Sequence, residues 1–137
     1  MSDLKEKTHR GSDPDCLFCK DEIAAGAIAE HGSVYAIGDA FPVTPGHVLV
    51  IPRRHTRDFF TMTTEELRDT EQMLRVLREE ILRDDPSVTG FNVGVNCGAS
   101  AGQTVKHAHI HLIPRRDGDT DEPRGGVRGV VPAKTGY

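Results

Sequence analysis

The run "VKHAHIHLIP", residues 105–114, sets three histidines on alternate positions, and no other stretch constrains the fold as tightly. A period of two belongs to an extended strand, whose successive side chains face opposite ways. His107, His109 and His111 then share one face, while Ala108, Ile110 and Leu112 share the other. The apolar face predicts packing against a helix, which leaves the histidine face to line a site. Successive imidazoles on it would stand roughly 6.6–6.8 Å apart along the strand, able to serve one ligand without all crowding one atom.

The covering helix is legible in "TTEELRDTEQMLRVLREEIL", residues 63–82. Thr63 as N-cap with Glu66 three residues on makes a capping box. Leu67, Leu74, Leu77 and Ile81 then form one apolar stripe on a polar helix, which "DDPSVTG" ends. Upstream, "LFCKDEIAAG" (17–26) predicts a short helix closed by Gly26. Residues 27–39 predict a hairpin with His31-Gly32 at its turn, residues 46–51 a strand between prolines, and "RDFFTM" a single helical turn. "FNVGVN" (91–96) and residues 105–114 predict two more strands, joined by the small-residue loop "CGASAGQT". Helices on one face of a mainly antiparallel sheet define an α+β domain. We divide the chain into a leader (1–14), a body (15–116) and a polar, glycine-rich tail (117–137).

Composition narrows the function. A chain of 137 residues with 36% hydrophobic residues and no tryptophan suits one soluble domain with an aliphatic core. No apolar run approaches the ~20 residues a membrane span requires. The opening "MSDLKEKTHRGSDPD" lacks the apolar core of a signal peptide, so a cytoplasmic location is expected. A net charge of −4 argues against a nucleic-acid backbone as partner, while leaving room for a small phosphorylated ligand held by local donors.

The histidine face admits three readings: a solvated strand face, a catalytic metal triad, or a site for attack on phosphorus. The metal reading leaves "CGASAGQT" unexplained. Asn96, Gly98, Gly102, Gln103 and Thr104 bring amides, a hydroxyl and close-approach glycines to a turn that feeds the histidine strand, which suits a phosphate. Histidine, with a pKa near 6.5, keeps a neutral nitrogen lone pair at physiological pH, and a covalent adduct divides a difficult substitution into two easier ones. Three cysteines do not make a disulfide framework. Cys16 and Cys19 form a C-x2-C pair with three uses: a redox couple, two buried apolar residues, or half of a tetrahedral zinc site. The intervening Leu-Phe and the lack of a surrounding βαβ pattern weaken the first, and histidines can complete the third.

"HAHIHLI" resembles the His-x-His-x-His-x-x pattern of the histidine-triad (HIT) family. "AGQTVKHAHIHLIPR" is similar to the same run in fragile-histidine-triad dinucleoside polyphosphate hydrolases, and "PGHVLVIPRRH" resembles the family's second landmark. The resemblance spans roughly residues 16 to 116. It implies a HIT-like fold: a mainly antiparallel sheet of about five strands with one long and one short helix. It also implies that His109 attacks the α-phosphorus of a nucleotide, forming a nucleotidyl-histidine that water hydrolyses to release a nucleoside monophosphate such as AMP. The His107 carbonyl would orient His109, and His111 would donate a hydrogen bond to the phosphate or the bridging atom. Gln103, Thr104 and Asn96 fall where the family holds phosphate oxygens, with Gln103 also near the leaving group. Asp39 falls where it binds ribose, Leu17, Phe18 and Ile37 where it packs the base, and His47 in a supporting role.

Bacterial members of the family that carry a cysteine pair imply structural zinc on Cys16, Cys19, His55 and His107. Fragile-type hydrolases generally lack those cysteines, so this chain mixes two branches. The implied substrates are accordingly dinucleoside polyphosphates or nucleoside phosphoramidates, with a nucleotidyltransferase or a nucleotide-binding regulator of little turnover as alternatives. The resemblance further implies a homodimer joined through the long helix and adjoining strand. Arg124 and Arg128 of the tail are candidates for distal phosphates, against a solvated tail.

Overall fold

Residues 15–136 are described by a computed structural model, and the expected leader, 1–14, lies outside them. The strands are β1 (Ala29–His31), β2 (Val34–Gly38), β3 (Val48–Pro52), β4 (Val88–Gly94) and β5 (Ile110–Arg116). They form one antiparallel sheet in the order β1-β2-β3-β5-β4. The helices are α1 (Asp21–Ala25) and α2 (Thr64–Asp84). This is the expected α+β architecture, with one long and one short helix.

Strand β3, "VLVIP", is buried at every position, which a sheet with one wet face would not require. Its two faces are covered by different parts of the chain. On one side Val34, Ala36, Val48, Val50, Ile110 and Leu112 pack with Met73 and Leu77 of α2. On the other, Tyr35, Leu49 and Ile51 pack with Cys16 and Phe18. The second layer is what carries the site.

Helix α2 begins at the expected capping box: Thr63 Oγ1 accepts from Glu66 N at 3.0 Å, and Glu66 Oε1 accepts from Thr63 N at 2.8 Å. Its buried face centres on Glu66, Thr70, Met73 and Leu77, whereas Leu67, Leu74 and Ile81 pack at the margin of the core. The apolar pattern located the face but not its centre, because two of the innermost positions are polar. Asp69 reaches from the helix to the β1–β2 turn, accepting from Ser33 N at 2.8 Å and Ser33 Oγ at 2.7 Å. That turn sits at Gly32-Ser33, one residue beyond the expected place, since His31 pairs with Val34. Gly32 adopts φ +54°, a left-handed value that favours glycine.

Two further expectations are corrected. The predicted strand 105–114 starts only at Ile110 and runs to Arg116. Ala108 N is diverted to Thr56 O at 2.7 Å, so His107 and His109 approach the sheet without joining its ladder. The predicted helix 17–26 is a 3-10 turn, Leu17–Cys19, followed by α1, with extended Lys20 between them. The break falls directly after the cysteine pair. In the tail, 3-10 turns at Gly126–Val130 and Pro132–Lys134 fold the chain back, and the Arg128 guanidinium donates to the carbonyls of Lys134 and Gly136. No described helix is long and apolar enough to cross a membrane.

Candidate active site and metal centre

Two groups of side chains meet around residues 107–111. The first is a cluster of ligand atoms. Cys16 Sγ and Cys19 Sγ each lie 3.4 Å from His107 Nδ1; His55 Nδ1 lies 3.3 Å from both Cys19 Sγ and His107 Nδ1. The 3-10 turn points both sulfurs one way, and the chain leaving β3 brings His55 to meet them.

These spacings can be tested against zinc. Tetrahedral bonds of about 2.3 Å to sulfur and 2.0–2.1 Å to nitrogen give S···N edges of roughly 3.5 Å and N···N edges of roughly 3.3 Å. The four observed edges match to about 0.2 Å. His107 Nε2–H donates to Pro52 O at 2.7 Å, which leaves the Nδ1 lone pair facing the cluster. Burial pushes His107 down to about 4, so the ring is the neutral form a metal requires. The residues fit a closed N/S site.

The second group is a histidine relay bordering a cavity of about 520 Å³. Its hydrogen bonds assign every tautomer. His109 Nδ1–H donates to His107 O at 2.8 Å, leaving Nε2 bare. His47 Nδ1 accepts from Val43 N at 3.0 Å, so its proton sits on Nε2. From there it donates to His111 Nδ1 at 2.9 Å, which places the His111 proton on Nε2. Burial lowers His47 against the opposing pull of Asp39. Burial also lowers His111, helped by the facing His109 and His47. Both rings are therefore neutral at pH 7 and the relay keeps one direction. The rings of His109 and His111 lie 5.3 Å apart between centroids, closer than the repeat along a strand.

The cavity wall brings together most of the residues singled out from the sequence. Leu17, Phe18 and Ile37 line its apolar end; Asp39, Asn96, Thr104, His109 and His111 line its polar end. Asp39 holds Phe41 N through Oδ1 at 2.8 Å and turns Oδ2 toward His47 at 3.4 Å. Asp39, His47 and His111 also cluster closely enough to suggest a second metal site. That set does not fit, since the backbone N–H on His47 Nδ1 keeps a proton, not a lone pair, on the Nε2 that faces the others.

Gln103 is placed apart from these residues. It is buried and does not line the cavity. Its Nε2 donates to Arg57 O at 2.7 Å and Val105 O at 3.1 Å, while its Oε1 accepts from Gly98 N at 2.9 Å. All of this binds the loop to itself and to the chain after β3. Arg124 and Arg128 do not line the cavity either. Glu22 and Phe41 do, and neither was singled out. The available signal for Phe41 was an aromatic two residues beyond the candidate ribose-binding aspartate. A second cavity of about 320 Å³ adjoins the first at Leu17, Thr104 and Val105, with His55, Asp15 and Lys106 on its far walls.

A relay of hydrogen-bonded histidines, a bare imidazole nitrogen and the glycine loop meet at one cavity. The HIT domain family model matches residues 20–118, and the chain belongs to this family. Among relatives, the adenosine 5'-monophosphoramidase of Candida albicans is 33% identical over 77% of this chain and 74% of its own. The asymmetrical bis(5'-nucleosyl)-tetraphosphatase of Schizosaccharomyces pombe is 40% identical, over 59% of this chain and 44% of its own. A crystal structure of a HIT family protein from Bacillus anthracis superposes with a TM-score of 0.71 at 36% identity, covering 79% of this chain and 78% of that one. A zinc-bound histidine triad protein from Mycobacterium smegmatis superposes at 0.70 with 31% identity, covering 79% and 80%.

Proposed function

We propose that the chain is a nucleotide hydrolase that acts at the α-phosphate through a nucleotidyl-His109 intermediate. The observation that carries this is the 2.8 Å hydrogen bond from His109 Nδ1–H to His107 O, which frees Nε2 as a nucleophile beside the cavity. In the first step the Nε2 lone pair forms a bond to phosphorus while the substrate's leaving nitrogen, protonated from solvent, departs as a neutral amine and the P–N bond breaks. His111 Nε2–H donates to the phosphate oxygens as charge shifts, without surrendering its proton. In the second step water attacks phosphorus, the N–P bond breaks, its electron pair returns to His109, and a proton passes to solvent. Thr104 and Asn96 hold phosphate oxygens. Asp39 binds ribose, and Leu17, Phe18 and Ile37 pack the base. Gln103 acts on the loop, not on the phosphate.

Nucleoside phosphoramidates suit the cavity best. Glu22 and Asp39 line it and, among the described residues, no lysine or arginine does, which favours a neutral or cationic leaving group over a polyphosphate. The longer match to the monophosphoramidase supports the same choice. Dinucleoside polyphosphates are the second reading, favoured by Lys106 in the adjoining cavity. Zinc on Cys16, Cys19, His55 and His107 would be structural, since four protein ligands leave no open position for water. The position of β4 at the sheet's edge, with Val93 half exposed, supports pairing with a second copy.

The test is quenching in alkaline detergent during turnover of substrate labelled at the α-phosphate. Label should reside on His109 as an acid-labile phosphoramidate and vanish in His109→Ala. Binding of AMP with no such adduct would instead mark a regulator. Parallel kinetics on a phosphoramidate and a dinucleoside polyphosphate then rank the two substrate classes.

A further inference from the structure

The cysteine pair and the nucleotide cavity are built from the same four residues. Cys16 and Cys19 face the ligand cluster, while Leu17 and Phe18 between them line the cavity. Cys19 N donates to Cys16 O at 3.2 Å, so the turn cannot rotate one pair without rotating the other. The Phe18 ring stands edge-on to His109, with centroids 5.1 Å apart, and to His107 at 6.0 Å. A second route runs through His107 itself: its ring is in the cluster and its carbonyl holds the His109 Nδ1–H.

Among the described residues, the segment's backbone hydrogen bonds tie it mainly to itself. The backbone hydrogen bonds made by N–H groups from Cys19 to Ala27 close locally, and the first reaching the sheet is Ile28 N to Ala36 O. Helix α1 spans five residues and buries none, far below the ~12 needed for a helix to stand alone. Beyond the cluster, Phe18, Ile23, Ala24 and Ala27 pack with Tyr35, Leu49 and Ile51, and Tyr35 Oη–H donates to Phe18 O at 3.0 Å.

We propose that metal and nucleotide bind cooperatively, with Phe18 as the positioning residue that carries metal occupancy to His109 and to the base wall. The proposal rests on the reading of the cavity as a nucleotide site. A metal that clamps residues 16–19 against His107 orders in advance a wall the nucleotide would otherwise have to order itself. Linkage makes the effect reciprocal, so AMP must tighten metal binding by the factor through which metal tightens AMP binding.

The experiment measures that factor in both directions on the full chain. Calorimetry gives the AMP affinity of zinc-loaded and zinc-free protein, and a chromogenic chelator competing for zinc gives metal affinity with and without saturating AMP. Both should shift by the same factor, about 5- to 150-fold as is typical of coupled sites. Phe18→Leu, which keeps the wall apolar but removes the ring edge, should bring the factor to within about twofold of unity. A role in packing alone would weaken both affinities and leave their coupling unchanged. Equal AMP affinity with and without zinc in folded protein overturns the proposal, as does chelator competition that ignores AMP. If zinc-free protein unfolds, the competition on loaded wild type and Phe18→Leu decides, and equal factors in the two refute the role of Phe18. Failure of zinc-loaded protein to bind AMP at all is a separate result, which removes the nucleotide reading and the coupling with it.

Discussion

Replacing His47 with phenylalanine tests the relay. The ring shape is kept, but His111 Nδ1 loses the donor that holds its proton on Nε2. Asp39 Oδ2 stands 3.9 Å from that nitrogen, so a shift of about 1 Å brings it within hydrogen-bond range. A carboxylate rewards the opposite tautomer, with the proton on Nδ1. A charge-assisted hydrogen bond contributes about 1.5–3 kcal/mol, and each 1.36 is tenfold. The donor-competent form of His111 should therefore fall to between about 1 and 10%, and kcat should drop by about 10- to 100-fold. Stability should fall little: Val43 is exposed, so water takes over its N–H, at a cost of about 1 kcal/mol and a Tm drop of about 3–4 °C. The assay is kcat at saturating phosphoramidate, beside a melting curve. Adding Asp39→Asn supplies an amide N–H to His111 Nδ1 and should restore part of kcat, although KM rises with the loss of a ribose contact. The reasoning fails if His47→Phe keeps kcat within twofold, or if the double variant loses the product of the two single losses.

Gln103→Ala should lower Tm by removing three loop hydrogen bonds, about 2–4 kcal/mol, while the rate of His109 labelling falls less than tenfold; labelling lost outright with Tm unchanged would return Gln103 to the chemistry. Because burial lowers His47 and His111 from 6.5, the unfolded chain takes up protons that the folded one refuses. Stability should thus be full above pH 6.5 and decline as the pH drops below it, as titration calorimetry or denaturant melts at pH 5 and 7.5 would show. Removing zinc with a strong chelator should lower Tm first and activity second, and unchanged melting in demonstrably metal-free protein would defeat the metal assignment. Thr63→Ala should cost about 1 kcal/mol by uncapping α2, with kcat untouched.

Local physics made much of this molecule legible. The Thr63–Glu66 box placed the start of α2 to the residue, and the alternating run placed three imidazoles on the side away from that helix. What escaped were bonds between residues far apart in sequence. Nothing local reveals that Thr56 O captures Ala108 N and delays β5, or that Arg57 O and Val105 O engage Gln103. A glutamine in a glycine-rich loop reads as a ligand-binding amide until its partners are known. The cysteine pair and its histidine partners came from resemblance, and the geometry adds the reason they can meet: β3 runs buried through the centre of the sheet and delivers His55 beside the 3-10 turn. The direction of the relay from Val43 through His47 to His111 is a backbone fact, beyond any pattern of side chains.

Glu66 does more than begin a helix. Its buried carboxylate also takes two donors from Arg54, at 2.8 and 3.1 Å, and Arg54 adjoins His55 in the chain. A buried carboxylate stripped of such a partner costs about 3–5 kcal/mol, so the two segments cannot part cheaply. In amide hydrogen exchange, the first turn of α2 and the stretch through residue 58 should open together, as one unit with one protection free energy. Heat would then reach the Cys16, Cys19, His55 and His107 cluster by way of the far side of the sheet, and the cavity wall at Leu17 and Phe18 would loosen with it.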